Sequence, residues 1–95
     1  MAGSVVYLSG PITGIKDFHD KFRFWESKLK EMGFTVINPA EEAEGLTKKD
    51  YMRISIARLE SADFIFMLPH YEESKGAQIE KLYADYIGIE EIKLF

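Results

Sequence analysis

Glu80 is the residue in this sequence whose type and setting best suit chemistry. It closes the run Ser74-Lys75-Gly76-Ala77-Gln78-Ile79-Glu80. On a helix turning about 100° per residue, Gln78, Lys81 and Asp85 share one side, the expected solvent face. Gly76, Ile79, Tyr83 and Ile87 gather opposite, and Glu80 projects between Ala84 and Ile87, inside the apolar arc. A half-buried carboxylate loses solvation, and its pKa rises unless something binds the charge. Gly76 and Ala77 remove bulk one turn earlier, leaving room for a ligand or another chain segment. Two readings stay open here: a reactive carboxylate facing a ligand, or a rim charge that reaches water, Lys81 or a neighbouring subunit.

The other candidates are weaker alone. Gly10-Pro11-Ile12-Thr13-Gly14 can wrap a phosphate, but strand-to-helix turns use glycine anyway. Its spacing is not the dinucleotide fingerprint, and no Walker lysine follows. Asp50 stands three residues after Thr47 and reads first as half of a capping box, second as a catalyst. Tyr7 belongs by default to the core. Asp63 opens a strand, where its carboxylate can satisfy loop backbone groups. His19 and His70 are isolated and there is no cysteine, so neither a metal site nor a disulfide is expected.

These residues need elements to hold them. Val5-Val6-Tyr7-Leu8-Ser9 is a short apolar run ending at Gly10-Pro11, a buried strand entering a turn. Asp17 offers an N-cap. Phe18, Phe22, Trp25, Leu29 and Met32 then follow at helical spacing, and Gly33 sits where a left-handed C-terminal glycine belongs. Residues 34–38 read as a second strand stopped by Pro39, and 40–46 as loop. Thr47 opens a helix carrying Met52, Ile56 and Leu59 inward. Residues 63–68 form a third strand, apolar enough to be covered on both faces. Ser74 caps a third helix running to about Ile87, and 92–95 suggest a short last strand. Alternating strands and helices with short links predict one α/β domain over 1–95, Rossmann-like or flavodoxin-like. Its parallel sheet has order 2-1-3 for the first three strands and helices on both faces. Ligands in such sheets bind at the carboxyl ends of the strands.

Composition sets the outer limits. The chain has 95 residues, 46% of them hydrophobic, with seven Phe, five Tyr and one Trp, enough for one small core. Twelve Lys and Arg against 16 Asp and Glu leave a net charge of -4. Such a surface repels nucleic-acid polymers unless a basic patch is concentrated, and Lys48-Lys49 with Arg53 is too little. Without a leader pattern or a long apolar run, a cytoplasmic location and no membrane partner are expected.

Taken in order, these landmarks resemble the nucleoside 2-deoxyribosyltransferase superfamily, in its compact phage and bacterial branch. The likeness rests on Tyr7-Leu8-Ser9-Gly10-Pro11-Ile12-Thr13-Gly14, Val36-Ile37-Asn38-Pro39-Ala40 and Asp50-Tyr51-Met52. Ala62-Asp63, Met67-Leu68-Pro69 and the Ser74–Glu80 run complete it. The resemblance implies cleavage of the N-glycosidic bond of a 2'-deoxynucleoside or its 5'-monophosphate, without a cofactor. It casts Glu80 as the nucleophile that forms a glycosyl-enzyme ester, passed on to water or to a second base. It sets Tyr7 beside Glu80 and places Ser9, the Gly10–Gly14 loop, Asn38, Ser74 and Gly76 around the ligand. Serine at 74, as in 2'-deoxynucleoside 5'-phosphate N-hydrolases, suits an anionic phosphate at a helix N-terminus. One departure stands out. Relatives often carry an acid eight residues before Asp63, where this chain has Ser55, so Asp50 would have to assist the leaving base or activity would be slow or absent. The alternative on the same fold is a non-catalytic nucleotide-binding module. The resemblance also implies a homo-oligomer, a dimer or larger even assembly, completing its sites across subunits.

Overall fold

The computed structural model of the chain describes residues 4–12, 15–41 and 45–94. Four strands, β1 (Val5–Ser9), β2 (Thr35–Ile37), β3 (Phe64–Met67) and β4 (Glu90–Ile92), form one parallel sheet in the order β2-β1-β3-β4. Three helices connect them: α1 (Phe18–Glu31), α2 (Lys48–Glu60) and α3 (Lys75–Ile87). The 2-1-3 order expected from the alternation is therefore present. The last strand begins two residues earlier than its apolar run suggested and lies beside β3, pairing Phe64 with Glu90 and Phe66 with Ile92.

Alternation along the strands sends side chains to two cores. Val6, Leu8, Phe66 and Leu68 meet Phe22 and Leu29 of α1 on one face. Tyr7, Ile65 and Met67 meet Leu59 of α2 and Ala77 and Ala84 of α3 on the other. The helices thus cover both faces, and β1 and β3 are buried on both sides, as their unbroken apolar runs require.

Local signals set most of the boundaries. The Thr47 side chain accepts from the Asp50 amide at 3.1 Å and its hydroxyl donates to the Asp50 carboxylate at 2.9 Å, the anticipated capping pair. Ser74 Oγ accepts from the Ala77 amide at 3.2 Å and caps α3. Gly33 takes φ +97° after α1. Asp63 accepts the Val5 amide at 2.9 Å, tying the starts of β1 and β3 together. Two expectations need correction. Asp17 occupies the N-cap position of α1 but makes no side-chain cap bond, and its carboxylate pairs instead with Lys21 at 3.7 Å. Met32, last in the α1 apolar stripe, is exposed and stands at the C-cap, one residue past the end of the helix.

Candidate active site around Glu80

The sheet's winding reverses between β1 and β3, with β2 on one side of β1 and β4 beyond β3. In open parallel sheets that reversal opens a crevice at the carboxyl ends of the strands. Glu80 faces this point. Its Oε1 accepts from the Ser9 hydroxyl, the last residue of β1, at 2.6 Å. Its Oε2 accepts from the Tyr7 hydroxyl at 3.1 Å. Ser55, buried on α2, donates its hydroxyl to the Met52 carbonyl at 3.1 Å and stands near enough to the carboxylate to lower its pKa.

Strand alternation and helix phase explain the convergence. Tyr7 and Ser9 are two apart and so share the sheet face that α3 covers. On α3 the inward residues are Ala77, Glu80 and Ala84, spaced three and four apart. The arc inferred from apolar periodicity is therefore displaced around the helix. Ile79 and Ile87, its presumed anchors, are exposed, and small side chains lie against the sheet. Glu80 nonetheless points inward, now at the centre of the buried face and only 9% exposed.

The electrostatics follow from this burial. Desolvation raises the pKa of Glu80, and hydrogen bonds from Ser9, Ser55 and Tyr7 act against that rise without cancelling it. Tyr7 is pushed far above the normal phenol range, first by burial and then by the Glu80 charge, so its hydroxyl remains a donor. Lys81, the suggested partner, turns away and pairs with Asp85 at 3.6 Å and Glu91 at 3.5 Å.

The remaining sequence candidates fall into three groups. Tyr7, Ser9 and Glu80 are brought into direct contact. Ser74 and Gly76 stand at the start of the same helix, and a Cβ on Gly76 would meet only ordinary contacts at 3.8 Å with Met52 and Ser74. Met52 Cε and Ser74 Oγ thus already flank that side of the helix. Gly10 is required by packing, since a Cβ would lie 2.8 Å from Leu68 Cβ. Asn38 is engaged elsewhere: it donates to Glu26 at 3.0 Å and accepts the Ala40 amide at 2.9 Å. Glu26 is held below the usual carboxylate range by hydrogen bonds from Lys30 and then Asn38. Asp50 is committed to its cap with Thr47. Pro11 lines a cleft of about 580 Å³ on the α1 side with Trp25, Leu68 and His70, and Ile12 packs against the α1-side core. Thr13 and Gly14 lie outside the described residues. Ser55 is the site residue that sequence reasoning treated only as a missing acid. Its helical spacing of four to Leu59, a core residue, was the available signal for its inward position.

Among the described residues no group of three or more His, Asp or Glu side chains is placed to hold a metal ion. No described helix is long and apolar enough to cross a membrane.

A parallel α/β domain with helices on both faces and a buried, hydroxyl-bound glutamate at its winding reversal belongs to the Rossmann-like class. The chain is a member of the family described as Domain of unknown function (DUF4406), which matches residues 4–93. None of the curated proteins matches the chain.

Proposed function

We propose that the protein cleaves the N-glycosidic bond of a 2'-deoxynucleoside or its 5'-monophosphate, with Glu80 as nucleophile. The observation that carries this reading is the seating of the Glu80 carboxylate between the Ser9 and Tyr7 hydroxyls at the end of β1. That arrangement fixes both oxygens in a poorly solvated setting, where an ionised carboxylate is unstable enough to react and oriented enough to be useful. A Glu80 oxygen forms a bond to the anomeric carbon as the bond from that carbon to the base nitrogen breaks. The base leaves with the bonding pair and takes up a proton. Water or a second base then attacks the same carbon and releases the carboxylate. Tyr7, held protonated, orients the nucleophile rather than supplying the proton.

Ser74 and the N-terminus of the 13-residue α3 support a phosphate on the substrate, since backbone N–H groups there favour anions. A second reading, a binding module without turnover, draws on Ser55. This hydroxyl stands where relatives by resemblance carry the acid for the leaving base, and a serine cannot supply that proton near neutral pH.

Incubation with each deoxynucleoside and deoxynucleoside monophosphate, followed by chromatography for free base, tests the reading. Wild-type protein should release base and Glu80→Gln should lose at least about a thousandfold, as covalent carboxylates do. A 2'-fluorinated substrate analogue should add one sugar mass to the wild type only. Equal base release by both proteins would remove Glu80 from the mechanism. Nucleotide binding by both, with no base release, would favour the binding module.

A further inference from the structure

We infer that Met52 is a further residue of the Glu80 site, an apolar gate that covers the carboxylate and must swing aside to admit a ligand. Two contacts place it. Its Sδ lies 3.8 Å from the Ser55 hydroxyl oxygen, which stands beside the Glu80 carboxylate. Its Cε lies 3.8 Å from where a Cβ on Gly76 would be, one helical turn before Glu80 on the same side of α3. The thioether therefore reaches from α2 to the first turn of α3 and crosses one approach to the carboxylate. Ser9 and Tyr7 close the carboxylate from β1.

The side chain is suited to moving. Met52 is half-buried, so part of it meets solvent, and it stands outside both apolar cores. It is unbranched and turns about several side-chain bonds, whereas its neighbours Ile54 and Ile56 are branched at Cβ and stiff. At Gly76 it faces bare backbone, which offers no side chain to lock it in place. Closed, the thioether keeps water from the carboxylate; open, it exposes the oxygen that attacks. Its use in turnover rests on the glycosidase reading, whereas the cover itself does not.

Labelling of individual carboxylates tests the gate. The chain is treated with a water-soluble carbodiimide and glycine ethyl ester, and the peptides carrying Glu80 and Glu72 are followed by mass spectrometry. Glu72, exposed in the turn before α3, is the reference. In wild type Glu80 should label more slowly than Glu72 by about tenfold or more, because reaction waits on local opening. Met52→Ala should speed Glu80 by about tenfold with Glu72 unchanged, and Met52→Leu, which restores bulk, should stay within about threefold of wild type. Ile56→Ala removes comparable bulk one turn further along α2 and should leave Glu80 slow. Far-ultraviolet circular dichroism checks that each variant is folded. Should Met52→Ala fail to fold, Met52→Val shortens the side chain and makes the same test. Equal labelling of Glu80 and Glu72 in wild type overturns the inference. So does a Glu80 rate unmoved by Met52→Ala, or raised as much by Ile56→Ala. Base release is read separately on the same proteins. Opening of Glu80 in Met52→Ala with no base released by any protein keeps the gate and removes the glycosidase. Base release by wild type with Glu80 labelling unmoved by Met52→Ala keeps the glycosidase and removes the gate.

Discussion

The Ser9 hydroxyl lies 2.6 Å from Oε1 of Glu80, across 71 residues of chain. This bond joins the end of the first strand to the middle of the last helix, and it is shorter than the 3.1 Å bond from the Tyr7 hydroxyl. A hydrogen bond to a charged, desolvated acceptor contributes more than one between neutral groups. Ser9 therefore holds the candidate nucleophile in place and keeps part of its charge compensated.

Removal of that donor should be felt in two ways. Ser9→Ala should cost about 2 kcal/mol of stability near neutral pH, the usual worth of a bond to a buried charge. It should also raise the Glu80 pKa further and move the acidic limb of base release to higher pH. Urea unfolding and a pH–rate profile measure these together. An unchanged limb would mean that Ser9 does not control the carboxylate.

Glu80 itself should make stability depend on pH in a defined direction. Its folded pKa lies above its unfolded one because burial outweighs the lowering influence of the Ser9, Ser55 and Tyr7 hydroxyls. The folded state then holds the proton more tightly, so the group contributes its full stability below the unfolded pKa and loses it as pH rises through the folded pKa. At neutral pH the ionised group costs stability, and Glu80→Gln should melt at a higher temperature than wild type. In acid, below the unfolded pKa, that advantage should disappear. Thermal melts of both proteins across this range decide the matter, and a gap independent of pH contradicts it.

Gly10→Ala should destabilise the domain by about 1–3 kcal/mol, the range for forcing bulk into a packed site. The added Cβ would stand 2.8 Å from Leu68 Cβ, which is carried by the end of β3 and cannot swing aside. Denaturant titration gives the value. A variant as stable as wild type would show that the loop after β1 yields without cost.

Ser74→Asp should leave α3 capped, since aspartate accepts at an N-cap as well as serine does. It should nevertheless reduce the preference for a deoxynucleoside monophosphate over its nucleoside by about tenfold, through like-charge repulsion. Calorimetric titration of both ligands measures the ratio. Equal affinities for the two ligands in wild type would remove the phosphate site.

Much of this molecule was legible in one dimension because the signals were local. The β1 run from Val5 to Ser9 has the bounds its apolar residues suggested. Thr47 with Asp50, Ser74 and Gly33 mark helix ends by capping chemistry that needs no distant partner. The alternation of strands and helices, with the right-handed crossover rule, sufficed for the 2-1-3 order. The phase of α3 was not legible. Periodicity favoured Ile79 and Ile87 as inward residues, but Tyr7, Ile65 and Met67 already fill the space against the sheet. Alanines at 77 and 84 let the helix backbone approach that layer, with the Glu80 carboxylate reaching the strand hydroxyls between them. The identity of those hydroxyls was equally a tertiary matter. Ser9 and Ser55 are distant from Glu80 in sequence and ordinary by type, and become its partners only because the crossover from β3 lays α3 over the end of β1.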